Sequence, residues 1–190
     1  MAGKLRRRGG QAVKIVVTGP FAAGKTTLIR TISEITVLST ERNITDSTRS
    51  RKNETTVAMD FGRITIDREL VLYLFGTPGQ ERFDFMWEIL GEGMLGYLVL
   101  IDAQREDSLA EAMTICQAFR RMARVPFVVA LNRADDLDEA GRERIRDVLD
   151  LPMDVPVLAC NATDRESVKE VLLALLYCVL DEIEAEAVRV

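Results

Sequence analysis

Residues 19–26 read Gly-Pro-Phe-Ala-Ala-Gly-Lys-Thr, a complete G-x-x-x-x-G-K-[ST] pattern. It lies between an apolar run, Val13-Lys14-Ile15-Val16-Val17, and the helix-like segment Thr27-Leu28-Ile29-Arg30-Thr31-Ile32. No other feature restricts the fold so strongly, because a glycine-rich turn joining a buried strand to a helix is the opening unit of a phosphate-binding α/β sheet. The glycines let the backbone curl so that successive N–H groups point inward and cradle phosphate oxygens. The helix that follows adds the positive end of its dipole. Gly19, Ala22, Ala23, Gly24 and Thr27 are the expected phosphate-binding positions along this backbone. Lys25 supplies a point charge for β- and γ-phosphates, and the Thr26 hydroxyl is a natural Mg²⁺ ligand. A plain glycine turn would explain the glycines but not the Lys25-Thr26 pair. The pattern points to a nucleoside phosphate as ligand.

Strand-like apolar runs alternate with segments of helical period along the rest of the chain. Strands are expected at 13–18, 57–66, 70–75, 96–102, 126–131 and 155–159, and helices at 25–36, 83–90, 106–123, 138–149 and 165–187. In the last helix Val168, Val171, Leu172, Leu175, Val179 and Ile183 recur at helical spacing as one apolar stripe, and Leu109, Met113, Cys116 and Phe119 do the same over 106–123. Residues 62–70 join two strands too tightly for a crossover helix, which requires an antiparallel hairpin around Asp67-Arg68-Glu69. The remaining connections are right-handed crossovers. The expected fold is α/β of the P-loop type: a six-stranded, mostly parallel sheet with one antiparallel hairpin strand and helices on both faces. Ligands of such sheets bind outside the carboxyl ends of the strands, where the phosphate loop sits. Residues 37–56 are rich in Ser, Thr, Arg and Asn without apolar period, and a connection that long in a compact domain is usually functional or mobile.

Size and charge narrow the reading. The 190 residues suffice for one domain over 12–190, preceded by a basic tail over 1–11 that reads as solvated and disordered. Lys4, Arg6, Arg7 and Arg8 leave weak contact with an acidic membrane surface open for that tail. A net charge of −5 argues against nucleic acid as partner. With no histidine in the chain, histidine general-base chemistry and histidine-ligated zinc are excluded. Cys116, Cys160 and Cys178 lack C-x-x-C spacing and are odd in number, which argues for small buried side chains in a reducing compartment. No apolar stretch reaches the length of a membrane span and no signal-peptide pattern opens the chain, so a cytoplasmic protein is expected.

Four further segments carry chemistry. The strand ending at Phe75 runs into Gly76-Thr77-Pro78-Gly79-Gln80-Glu81. Without a Cβ, Gly79 lets its N–H approach a γ-phosphate, and Gln80 is placed to orient a water for in-line attack. Asn132-Arg133-Ala134-Asp135 follows the fifth expected strand. A carboxylate at Asp135 accepts from both the ring N–H and the exocyclic amine of guanine, which adenine does not offer in that arrangement. A buried site built for those bonds rejects a base lacking them by several kcal/mol. Asn132 would tether this loop to the phosphate loop; the plainer role of the segment is to cap the following helix. In Cys160-Asn161-Ala162-Thr163 the Ala162 N–H is placed for the guanine carbonyl, although Asn161 and Thr163 equally suit the start of a helix. Thr56 closes the long loop, where its hydroxyl could reach Mg²⁺ and its N–H the γ-phosphate, ordering the loop with triphosphate only.

Taken in this order, the segments resemble the Ras-like small GTPases over about 13–187. Gly19 to Thr26 is similar to their first motif, Thr56 falls at the switch I threonine, and Gly79-Gln80 at the switch II glycine and glutamine. Asn132-Arg133-Ala134-Asp135 is similar to N-K-x-D with arginine for lysine, so that Asn132, Arg133 and Asp135, with Asn161 and Ala162, make the implied guanine site. Gly76 stands where the family has an aspartate that holds a Mg²⁺-bound water. That loss, with Pro-Gly-Gln after it, resembles the prokaryotic MglA-type and actinobacterial conservon-associated branch. The resemblance implies a GTP/GDP switch with Mg²⁺ bound through Thr26 and Thr56, slow hydrolysis served by Gln80 and Gly79, a roadblock-fold regulator and a downstream effector. Asp60, one strand over from Gly76, is the nearest carboxylate in sequence that could reach the metal shell in its place, although many relatives carry aspartate there with no metal role. Thr55 precedes Thr56 where some relatives carry arginine, so an arginine that assists hydrolysis comes from a partner, from Arg42, Arg49 or Arg51 in the loop, or is absent altogether. A passive nucleotide-bound module and a P-loop kinase remain as alternatives. Of Phe83, Phe85 and Trp87, some pack beneath the switch II helix and others form a partner surface.

Overall fold

A computed structural model describes residues 11–39, 59–66, 70–79, 85–134 and 137–189. The chain runs β1 (Gln11–Thr18), α1 (Lys25–Ile32), β2 (Leu38–Ser39), β3 (Asp60–Thr65), β4 (Leu70–Gly76), α2 (Phe85–Gly91), β5 (Gly96–Asp102), α3 (Glu106–Met122), β6 (Phe127–Asn132), α4 (Glu139–Leu149), β7 (Val157–Cys160) and α5 (Arg165–Arg189). The six expected strands form one sheet, extended at the edge by the two-residue β2, in the order β2-β3-β4-β1-β5-β6-β7. Strands β4, β1, β5, β6 and β7 are parallel, and β3 runs antiparallel to β4 with Asp60 opposite Gly76 and Thr65 opposite Val71. The chain leaves β1 toward β4 and later returns to its other side at β5. This reversal opens a crevice at the carboxyl end of β1, and the phosphate loop begins there.

Period-two alternation sends the two faces of the central strands into separate cores. Val13, Ile15, Val17, Leu98 and Leu100 pack against Leu28, Ile29 and Ile32 of α1 and Val168, Val171 and Leu175 of α5. On the other face Val16, Tyr97, Val99 and Ile101 meet Ala112, Ile115, Cys116 and Phe119 of α3. Each large side chain buried this way contributes roughly 1.5–3 kcal/mol, which holds α1 and the loop before it against the sheet.

The helix faces differ from the expected stripes in two places. In α3 the sheet-facing side is Ser108, Ala112, Ile115, Cys116 and Phe119, while Met113 is exposed. The small Ser108 and Ala112 let the helix lie close to β5, which turns Met113 outward. In α5 the stripe is buried from Val168 to Val179, but Ile183 is exposed. Helix α1 stops four residues short of the expected 36. Ser33 leaves the helix in an extended conformation, and its hydroxyl donates to the Ile35 carbonyl and accepts from the Arg63 N–H. The turn around Asp67-Arg68-Glu69 lies outside the described residues, but the antiparallel pairing on both sides agrees with the expected hairpin. Cys116 and Cys160 are buried free thiols, and Cys178 is partly buried. Among the described residues no helix is long and apolar enough to cross a membrane.

Candidate functional site

Three positive-φ residues give the phosphate loop its shape: Gly19 at +140°, Ala22 at +60° and Gly24 at +105°. The two glycines are required for space as well as for φ. A Cβ on Gly19 would stand 2.1 Å from the Leu100 carbonyl oxygen, and one on Gly24 would stand 2.5 Å from Asn132 Nδ2. Within the curl the Ala23 N–H donates to the Pro20 carbonyl at 3.3 Å. Helix α1 starts directly at Lys25, so its N-terminal N–H groups face the loop, and Thr27 sits exposed in that first turn.

Lys25 is buried, and its ammonium donates to the Gly19 and Pro20 carbonyls at 2.7 and 2.6 Å. Gly79 lies directly over it: a Cβ there would be 2.7 Å from both Lys25 Nζ and Phe21 Cα. The structure therefore joins the phosphate loop to the start of the segment after β4, as expected. Thr77 continues the β4–β1 pairing, donating from its N–H to the Val17 carbonyl and from its hydroxyl to Thr18 at 2.9 Å each. Burial lowers the Lys25 pKa from 10.5 to about 8, against the opposing fields of Asp60 and Glu111.

That depression has a definite pH signature. In the free protein Lys25 loses its proton as pH rises through about 8, whereas the unfolded chain keeps it to about 10.5. Between those values the unfolded state binds more protons, so the lysine opposes folding at lower pH and this cost disappears as pH rises. A phosphate chain at the ammonium favours the charged form, so ligand binding above about pH 8 takes up a proton. We expect triphosphate affinity to be level below that pH and to fall roughly tenfold per unit above it. In Lys25→Met the dependence disappears. Calorimetry at pH 9 in buffers of different ionisation heat reads the uptake directly, and observed heats that are the same in every buffer would contradict it.

Asp60 occupies the space that Gly76 leaves. The two residues face each other across β3 and β4, and a Cβ on Gly76 would stand 3.0 Å from the Asp60 Cβ and 3.3 Å from its Oδ2. That oxygen accepts the Thr26 hydroxyl at 2.5 Å. A hydroxyl and a carboxylate so placed are hard oxygen donors of the type Mg²⁺ selects.

Asn132 links the three loops at the carboxyl ends of the strands. Its Nδ2 donates to the Ala23 carbonyl at 2.9 Å, and its Oδ1 accepts from the Ala162 N–H at 3.0 Å. The first bond is the expected tether to the phosphate loop. The second gives the Ala162 N–H a protein acceptor and ties the loop before α5 to the end of β6. Asn161 takes the local role that the sequence equally allowed. Its side-chain oxygen accepts from the Thr163 N–H and hydroxyl, a local turn just ahead of α5, whose first-turn Ser167 N–H is capped by Asp164. Arg133 has φ +61°, and its guanidinium pairs with Asp102, a fully buried carboxylate at the end of β5. Asp102 also accepts from the Gln104 N–H, so β5 and β6 are tied at their ends.

Thr56, Gln80 and Asp135 lie outside the described residues, as do Arg42, Arg49, Arg51 and Phe83. Trp87 is partly buried, its ring 5.7 Å from that of Phe119, so it packs beneath α2 as expected for part of that aromatic group.

One residue at the site had no signal in the phosphate loop or in the expected switches. Arg105, just before α3, donates from Nη1 to the Phe21 carbonyl of the phosphate loop. Its other nitrogens hold Asp107 at 2.8 and 3.1 Å and Glu111 at 3.2 Å. In sequence the residue reads as one more charge ahead of a helix with Asp107 in its first turn.

Residues 36–182 match a protein family described as conserved hypothetical ATP binding protein. The match begins after the phosphate loop and takes in Asp60, Gly76, Gly79, Arg105 and Asn132. An uncharacterized protein of Methanocaldococcus jannaschii is 31% identical over 128 residues, covering 66% of this chain and 74% of its own.

Proposed function

The chain belongs to this conserved hypothetical ATP binding family, and within it we propose that the chain is a Mg²⁺-dependent guanine-nucleotide switch. In this reading it is a Ras-like GTPase of the MglA-type branch that hydrolyses GTP slowly. The observation that carries the reading is the pair of bonds made by Asn132. They bind the phosphate loop to the loop that opens at Asn132-Arg133-Ala134-Asp135, so a nucleotide held by its phosphates has its base beside that segment. Asp135 then selects guanine by accepting from its ring N–H and amine.

The loop N–H groups and Lys25 hold the phosphates. Thr26, backed by Asp60 and joined by Thr56, would hold Mg²⁺, which neutralises charge on the β- and γ-oxygens when bound. Gly79 places its N–H at the γ-phosphate, and Gln80 orients the attacking water. Loss of the γ-phosphate would release Gly79 and Thr56, the two switch segments read by a roadblock-fold regulator and a downstream effector. The chain acts in the cytoplasm.

A second reading, an adenine-nucleotide protein, is favoured by the description of the family. Trp87 at α2 separates the two. Its fluorescence, recorded with Mg²⁺ and GTP, GDP or ATP, is expected to differ between GTP and GDP and to stay silent with ATP. A response to ATP overturns the guanine assignment. Identical GTP and GDP signals with equal affinities for the two overturn the switch. In the same assay Asp60→Ala is expected to need about 10- to 100-fold more Mg²⁺ for the GTP signal, the usual scale for losing a group that supports a metal ligand. An unchanged Mg²⁺ requirement removes Asp60 from the metal site.

A further inference from the structure

Arg105 is held as a reactive arginine would need to be held. A guanidinium has five N–H donors in a fixed fork. Nε and one Nη2 proton go to Asp107, the other Nη2 proton goes to Glu111, and one Nη1 proton goes to the Phe21 carbonyl. The remaining Nη1 proton is on the nitrogen bonded to the phosphate loop, and no protein acceptor among the described hydrogen bonds takes it. Phe21 is also the residue against which Gly79 packs. Glu111, bonded to Arg105, acts on the charge of Lys25 as well, which places both cations at the same end of the loop. Among the described residues Arg105 is the arginine whose hydrogen bonds reach this loop.

Building on the GTPase reading, we propose that Arg105 is a catalytic arginine supplied in cis, donating its remaining Nη1 proton to the phosphoryl group during transfer. In the step, a water oxygen bonds to the γ-phosphorus while the bond to the β–γ bridging oxygen breaks. GDP leaves with that electron pair, and the protons of the water end on the released phosphate and in solvent. Charge grows on the bridging and equatorial oxygens as the bonds exchange, and a guanidinium fixed beforehand stabilises it without reorganising. Asp107 and Glu111 position the fork. The arginine therefore comes from the start of α3 and not from the 37–56 loop.

The test is single-turnover GTP hydrolysis by excess protein with Mg²⁺, alongside nucleotide affinity and the binding of GDP with aluminium fluoride, which mimics the phosphoryl group in transfer. Wild type, Arg105→Ala and Arg105→Lys are compared, the lysine keeping a cation but not the fork. We expect hydrolysis by Arg105→Ala to slow by at least ~100-fold, toward the lower end of what an arginine finger supplies. GTP and GDP affinities stay within about threefold and the aluminium fluoride complex is lost, changes that a merely structural brace does not produce together. Arg105→Lys recovers less than a tenth of the rate. An Arg105→Ala protein that hydrolyses at the wild-type rate overturns the proposal. So does one whose rate falls only as far as its GTP affinity, which would make the contact a brace for the loop. If wild type itself fails to hydrolyse GTP, the GTPase reading falls, a result distinct from either.

Discussion

Gly19→Ala is expected to cost more than ~4 kcal/mol of folding stability, a loss reached only by a few mechanisms such as strain at a special backbone conformation. Two costs coincide at this residue. Its φ of +140° is closed to a side chain, and the added methyl carbon would stand 2.1 Å from the Leu100 carbonyl oxygen. Leu100 cannot retreat. It is fully buried in β5, the strand beside β1, and its own side chain packs in the core shared with α1 and α5. For a chain of this size the loss corresponds to roughly 8–16 °C in melting temperature. Should the protein survive by moving the loop instead, the N–H cradle moves with it and triphosphate affinity is lost while the melting point holds. Thermal denaturation and nucleotide titration of the same preparation measure both. A variant that melts within about 2 °C of wild type and binds as well would show that the β1–loop junction is soft, contrary to the packing around it.

Asn132→Ala removes both bonds of a buried side chain in one step. The Ala23 carbonyl and the Ala162 N–H lose their partners, at about 1–3 kcal/mol for each buried polar group left unpaired. We expect a loss of roughly 2–5 kcal/mol in urea denaturation and at least a tenfold weakening of GTP binding, because the loops for phosphate and base are no longer fixed to each other. Asn132→Asp tests the geometry more sharply. A carboxylate still accepts from Ala162 but faces the Ala23 carbonyl without a proton to offer, in a position only 4% exposed. It is expected to be no better than the alanine. If Asn132→Ala lost stability but kept its GTP affinity, the residue would serve the fold alone, and the observation that carries the proposed function would be gone.

How far each part of the site was legible follows from how local its cause is. The phosphate loop, with its strand before and helix after, rests on backbone rules spanning a dozen residues, and so does the hairpin between β3 and β4. The tether by Asn132 was legible from its position at a strand end. That the Ala162 N–H goes to Asn132 was not, since a backbone N–H has many acceptors within reach and only the folded loops show which one it takes. In α3 the expected stripe held at Leu109, Cys116 and Phe119 and missed at Met113 for a related reason: apolar period favours Met113, but the close approach allowed by Ser108 and Ala112 depends on the sheet beneath.

By itself, then, the chain's order of residues determined the α/β alternation, the single antiparallel strand, the phosphate cradle and the position of the residue that joins it to the base-side loop. These depend on periodicity, on chain reach and on the φ that glycine permits. Only the tertiary structure decided that the carboxylate of Asp60 fills the space beside Gly76 and accepts the Thr26 hydroxyl, and that Arg105, more than eighty residues after Phe21, bonds to its carbonyl. Both contacts join elements far apart in the chain, and their distances are set by strand register and helix packing. No local pattern records those until β3 lies against β4 and α3 lies against β5.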